Sequence, residues 1–138
     1  MAEVHQLRLA LERSTEIAPR IQIAVERLKL QQEQVAGVSR QLEDLRRELD
    51  HSRSAHPKML QRLQAVENEV TQNADPQKQK DLNAMLSMFK LETEQAEKSL
   101  QQFQAREGEL TSQLQSEQSK LIELNDRSDQ MERALNVP

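Results

Sequence analysis

From Leu7 onward, apolar side chains recur alternately three and four residues apart, and this repeat constrains the chain more than any other feature. One frame runs Leu7, Ala10, Ser14, Ile17, Ile21, Ala24, Leu28, Gln31, Val35, Val38, Leu42, Leu45, Leu49, Ser52, His56, Met59, Leu63, Val66 and Val70. A second runs Leu82, Leu86, Phe89, Thr93, Ala96, Leu100, Phe103, Glu107, Leu110, Leu114, Glu117, Leu121, Leu124, Ser128, Met131 and Leu135. Of these 35 positions 27 are apolar, about double the 36% expected from composition. A 3.5-residue repeat held this long keeps one stripe of each helix facing a neighbour, which is coiled-coil packing. It also settles how to read a chain with 30% charged residues and a mean hydropathy of −0.85. Such polarity fits disorder or an elongated helical structure with a narrow seam, and the repeat selects the second.

The two frames do not join. Continuing the first past Val70 falls on Asn73, Gln77, Lys80 and Ala84 and misses Leu82, Leu86 and Phe89. The intervening Asn73-Ala74-Asp75-Pro76 reads as a helix stop followed by a helix start. Asn73 is suited to a left-handed terminating conformation, Asp75 to an N-cap, and Pro76 to a first helical position where its missing N–H costs nothing. A turn this short makes the two helices antiparallel neighbours. The expected fold is therefore all-α: a long antiparallel two-helix coiled-coil hairpin over residues 1–138, able to dimerise into a four-helix assembly. The first arm is expected over about 4–72, the turn over about 73–75 and the second arm over about 76–135. At 1.5 Å per residue each arm would be about 90–100 Å long, and the near-equal arms would bring both termini together.

Pro19 and Pro57 interrupt the first arm. The heptad frame passes both without a phase change, so the sequence predicts kinks there rather than reversals. The competing expectation is a true break, more readily at Pro19, where Ser14 and Thr15 are potential caps. Gly37 and Gly108 lie off the seam and read as tolerated surface glycines, each lowering helix propensity by about 1 kcal/mol relative to Ala.

Little in the sequence invites catalysis. There is no cysteine, tryptophan or tyrosine, and there are only two phenylalanines and two glycines. That excludes disulfides, thiolate metal sites, cysteine nucleophiles, aromatic stacking platforms and Gly-rich phosphate loops. Glu48 and His51 have the Glu-x-x-His spacing of di-iron bundles, but no second copy exists and both fall off the seam. No Ser/His/Asp arrangement can be inferred from the three histidines. No catalytic residue, metal site or cofactor is expected, and the chain is read as a non-enzyme. The polar seam residues Gln31, His56, Glu107 and Glu117 are expected to set register and partner choice at some cost in stability, with His56 also a candidate pH-sensitive weak point.

Nor is there an electrostatic footprint for nucleic acid. Residues 1–73 hold 11 Lys/Arg against 11 Asp/Glu, and residues 74–138 hold 8 against 12, leaving a net charge of −4. Acid-to-base pairs at i,i+4 (Glu16–Arg20, Glu43–Arg47, Glu94–Lys98, Glu123–Arg127, Asp129–Arg133) are expected to support the helices. No run of apolar residues is long enough for a membrane span, and the beginning MAEVHQLRLALER is unlike a secretory signal. A cytoplasmic protein is expected, which the lack of cysteine fits.

Protein contact is the remaining lead, because apolar residues also occur off the seam. Near the turn Met59, Leu60, Met85, Met88 and Leu91 form a candidate contact tip, methionine being adaptable to varied surfaces. Toward the termini Leu9, Ile23 and Leu30 share the c position of the heptad and, with Ile122, form a candidate self-association stripe. The function expected is a structural, scaffold or protein–protein interaction module acting as a semi-rigid spacer, with a protein partner or homodimerisation. The alternative is a chaperone or secretion-accessory stalk that holds protein clients through its apolar tip. Secretion-apparatus stalks and prefoldin-type subunits are similar in outline, with no residue motif in common.

Overall fold

The computed structural model describes residues 2–136, apart from the side chain of Ser14, an expected seam residue and cap that lies outside the described residues. The chain is an all-α helical hairpin in which two long helices pack against each other. Helix α1 spans Ala2–Gln72 and helix α2 spans Pro76–Asn136. The helices are 71 and 61 residues long, with bounds within about two residues of those expected for the two arms.

The turn forms where the frames part, but not through a left-handed residue. Among the described residues none has positive φ, glycine or otherwise. Asn73 instead donates its N–H to the Glu69 carbonyl at 3.0 Å, extending the α1 pattern by one bond. Its side-chain Oδ1 then accepts from the Asp75 N–H at 3.4 Å, and Asp75 Oδ1 accepts from the Gln77 N–H at 3.1 Å. Asp75 is thus the N-cap of α2, with Pro76 in the first helical position. The Gln79 amide donates back to the Asn73 carbonyl, closing the turn from the second helix. Consecutive side-chain caps supply the partners that a left-handed residue would otherwise provide.

Helix α1 runs unbroken through Pro19 and Pro57, so neither proline is a true break. Thr15 does not cap a new helix before Pro19. Its hydroxyl donates to the Leu11 and Glu12 carbonyls at 2.8 and 2.9 Å, within its own helix. Gly37 and Gly108 sit in regular helix, and a Cβ built on either would meet nothing within 4 Å.

The chain divides into two compact units, each with residues from both helices. In the unit Gln41–Leu110 the buried core is Leu42, Leu49, Val66 and Leu110, with Leu49 only 1% exposed. Thr93 is the one buried polar residue among those described, and its hydroxyl donates to the Phe89 carbonyl at 2.7 Å. The helix's own backbone thus satisfies it while its methyl packs in the seam. In the other unit, made of residues up to Arg40 and from Thr111, Val38 is buried and the seam is half-buried from Ile17 to Val35 and from Leu114 to Met131. Two helices alone cannot enclose a seam from all sides, so partial burial is the rule for a and d side chains.

The seam ends before α1 does. Leu7 and Ala10 are exposed, and among the described side chains Ile17 is the first seam residue of α1 that is half-buried. In this unit Arg20 and Ala24 share a cavity with Arg127 and Met131. Continuing that antiparallel register places Asn136 opposite about residue 16. The preceding turns of α1 therefore have no opposing residue among those described, which accounts for the exposure of Val4, Leu7, Leu9 and Leu11.

Candidate interaction faces

The polar seam residues find specific partners. Gln31 Nε2 donates to the main-chain carbonyl of Glu117 at 2.9 Å and also to Glu117 Oε2, so one amide engages both acceptors of the residue across the seam. Lys120 Nζ stands 3.5 Å from the other carboxylate oxygen. The hydrogen bond from Gln31 is the main cause that holds the Glu117 carboxyl below its ordinary range, with Lys120 assisting and desolvation opposing. Only one heptad layer presents this pair, so sliding either helix would strand a carboxylate among apolar side chains.

Glu107 and His56 pair less tightly, with partners outside the seam. Glu107 Oε1 lies 3.8 Å from Arg46 Nε. His56 Nε2 lies 3.8 Å from Glu97 Oε1, while its Nδ1 is buried without a hydrogen-bond partner. Glu48 and His51 are both exposed. Among the described residues no group of three or more His, Cys, Asp or Glu could hold a metal ion. None of the five i,i+4 pairs read from the sequence closes as an ion pair among the described residues. Arg47 turns instead to Asp44, and Arg106 to Glu109. Long exposed side chains lose rotamer entropy on pairing and gain little Coulomb energy in water, so such pairs form only marginally.

The candidate tip divides. Met59 belongs to the seam, where it lines a small cavity of about 40 Å³ with Phe89 and Thr93. Leu60, Met85, Met88 and Leu91 are exposed, Met88 to 63% and Leu91 to 56%. They do not thicken the core around Pro57. By heptad position Met85 (g) and Met88 (c) flank one side of the seam, Leu60 (e) flanks the other, and Leu91 (f) faces outward.

The terminal stripe divides too. Ile23 lines a cavity of about 260 Å³ with Arg20, Arg27, Leu124, Arg127 and Met131. Leu30 lines a wider one of about 600 Å³ that shares Arg27 and Leu124 with the first. Together they make one groove along the g and c side of the seam. Leu9 shares the c position but precedes the paired part of α1. Ile122 lines neither cavity; at b it falls on the opposite flank, where Val25 (e) is also exposed. Total charge hides the arginines that edge the groove, because neither arm is basic overall. The heptad g positions carried the signal: in this unit they hold Arg13, Arg20, Arg27, Lys120 and Arg127 and no acid. No family model, curated protein or solved structure matches the chain.

Proposed function

We propose that the chain is a non-enzymatic scaffold or protein–protein interaction module. The observation that carries this reading is the apolar surface left over after the seam has closed. Leu30, Met88, Leu91 and Ile122 are each more than half exposed, beyond what the hairpin's own packing uses. Concentrations of exposed apolar side chains on an otherwise charged surface mark contact sites. The spacer part of the reading rests on the continuity of α1 through two prolines, since an unbroken helix can hold bound partners a fixed distance apart. No helix among the described residues is long and apolar enough to cross a membrane, and the cytoplasm is the proposed setting.

Homodimerisation and capture of unfolded clients are the two finer forms of this reading. Sedimentation equilibrium over a dilution series separates them. A dimer that persists on dilution supports the scaffold; a monomer that suppresses aggregation of a chemically unfolded model protein supports the chaperone-like alternative. Met85→Gln with Met88→Gln should leave thermal stability nearly unchanged and abolish that suppression. A large loss of stability would make both residues part of the core. A monomer that neither suppresses aggregation nor captures any partner would remove the reading altogether.

A further inference from the structure

We infer that the groove between Arg20 and Gln34 of α1 and residues Glu117 to Met131 of α2 is a docking site for an acidic amphipathic helix supplied by a different protein. This inference rests on the interaction-module reading and names the partner's chemistry.

Three observations converge on it. The first is spacing. On one wall the exposed Ile23 and Leu30 stand seven residues apart, and on the other the half-buried seam residues Leu124 and Met131 do the same. Only another helix presents side chains at that interval over such a length, which is about 21 Å or four turns. A third helix laid here would complete a three-helix seam over side chains that two helices leave half open.

The second is charge. Arg20, Arg27 and Arg127 line the same cavity, and none of them makes an ion pair or hydrogen bond among the described residues. Glu16 and Glu123, each four residues before an arginine, do not line the cavity. The acids of the groove, Glu33 and Glu117, line its other end, and Glu117 is engaged by Gln31 and Lys120. The Arg20–Arg27–Arg127 end is thus a concentrated positive edge on a chain whose net charge is −4. Arginine suits this role because its fork accepts a carboxylate in two-point contact and its stem covers apolar surface.

The third concerns a second copy of the chain. A symmetric dimer would place the same surface of both copies face to face. With the two-fold axis at the Arg20–Arg27–Arg127 end, these arginines of one copy would meet those of the other. Like charges in a closing apolar contact oppose association, which disfavours a second copy docked about that end.

The test uses the full chain and two fluorescein-labelled helical peptides. Both carry Leu at a and d; one has Glu at e and g, the other Lys. Fluorescence anisotropy should show binding of the Glu peptide alone. Its affinity should fall about tenfold from about 0.05 to about 0.5 M salt as the arginine pairs are screened. Arg20→Gln, Arg27→Gln and Arg127→Gln combined should weaken it by about the same factor, with the helical circular dichroism unchanged. Replacing the same three arginines by Glu should transfer binding to the Lys peptide, a gain that misfolding could not produce. Equal binding of both peptides, no binding of either, or a dimer that dissociates on Ile23→Glu would overturn the inference. If neither peptide binds while client capture still depends on Met85 and Met88, the groove assignment fails and the interaction-module reading stands.

Discussion

Replacing Gly37 or Gly108 by Ala should stabilise the protein, and the size of the gain follows from the local structure. Both glycines lie inside continuous helix, neither has positive φ, and a Cβ on either would meet no atom within 4 Å. Nothing in the fold therefore needs the missing side chain. What remains is the entropy that glycine loses on entering a helix, about 1 kcal/mol relative to Ala at an interior position. Unfolding entropy scales at about 2.1 cal/mol/K per residue, so for a chain of 138 residues each substitution should raise Tm by about 3–4 °C. Thermal melts followed by circular dichroism at 222 nm, with urea titrations to obtain the free energies, would measure it. A variant less stable than the parent would refute the reasoning. It would mean that the added methyl meets an atom outside the hairpin or that the backbone there departs from regular helix. Gly37 is the more informative of the two, since its c position continues the line of Ile23 and Leu30. If a partner helix extends that far, Gly37→Ala would raise stability and weaken binding together.

Other outcomes follow from the seam. Leu49→Ala should cost about 2–5 kcal/mol in urea unfolding, because the side chain is 1% exposed and its removal leaves a cavity between two helices that cannot collapse freely. His56→Leu should raise stability by about 1 kcal/mol, since it removes the unpartnered buried Nδ1 from an apolar layer; a loss instead would show that the approach to Glu97 outweighs that burial. The lowered pKa of Glu117 makes its contribution fully present above the ordinary carboxylate range and lost as pH falls through the lowered value. Gln31→Leu should therefore move the Glu117 titration upward in carbon-detected NMR and flatten the acid limb of the stability profile, and an unmoved titration would disprove the role of the Gln31 amide.

Much of this architecture was legible in the heptads. From Ile17 to Val70 and from Leu82 to Met131, every frame position is buried or half-buried. The frame break and the stop and start residues Asn73 to Pro76 together located the turn at 73–75 within a residue, because a shift of phase that coincides with helix caps marks a chain reversal. The polar exceptions were visible as positions but not as interactions. Thr93 hides by bonding to its own helix, and Gln31 reaches an acceptor 86 residues away. Nothing in the local sequence distinguishes those two outcomes. The turn shows a subtler gap: residue types placed the caps, whereas the backbone closed without the left-handed conformation that Asn73 allows.

The sequence by itself determined the helices, their antiparallel partnership and the residues between them, since all three follow from a periodic pattern that only one pairing satisfies. Tertiary structure decided which of the remaining side chains share a surface. Ile23 and Ile122 looked alike as spare apolar residues, yet only Ile23 lines the groove with Leu124. Arg20 and Arg127 sit 107 positions apart in helices that are not basic overall, yet the hairpin sets them on one cavity with Arg27 and no acid between. The reason is geometric. A heptad repeat tells each residue its angle about its own helix, but charge and apolar area become a surface only when a second helix fixes what stands opposite.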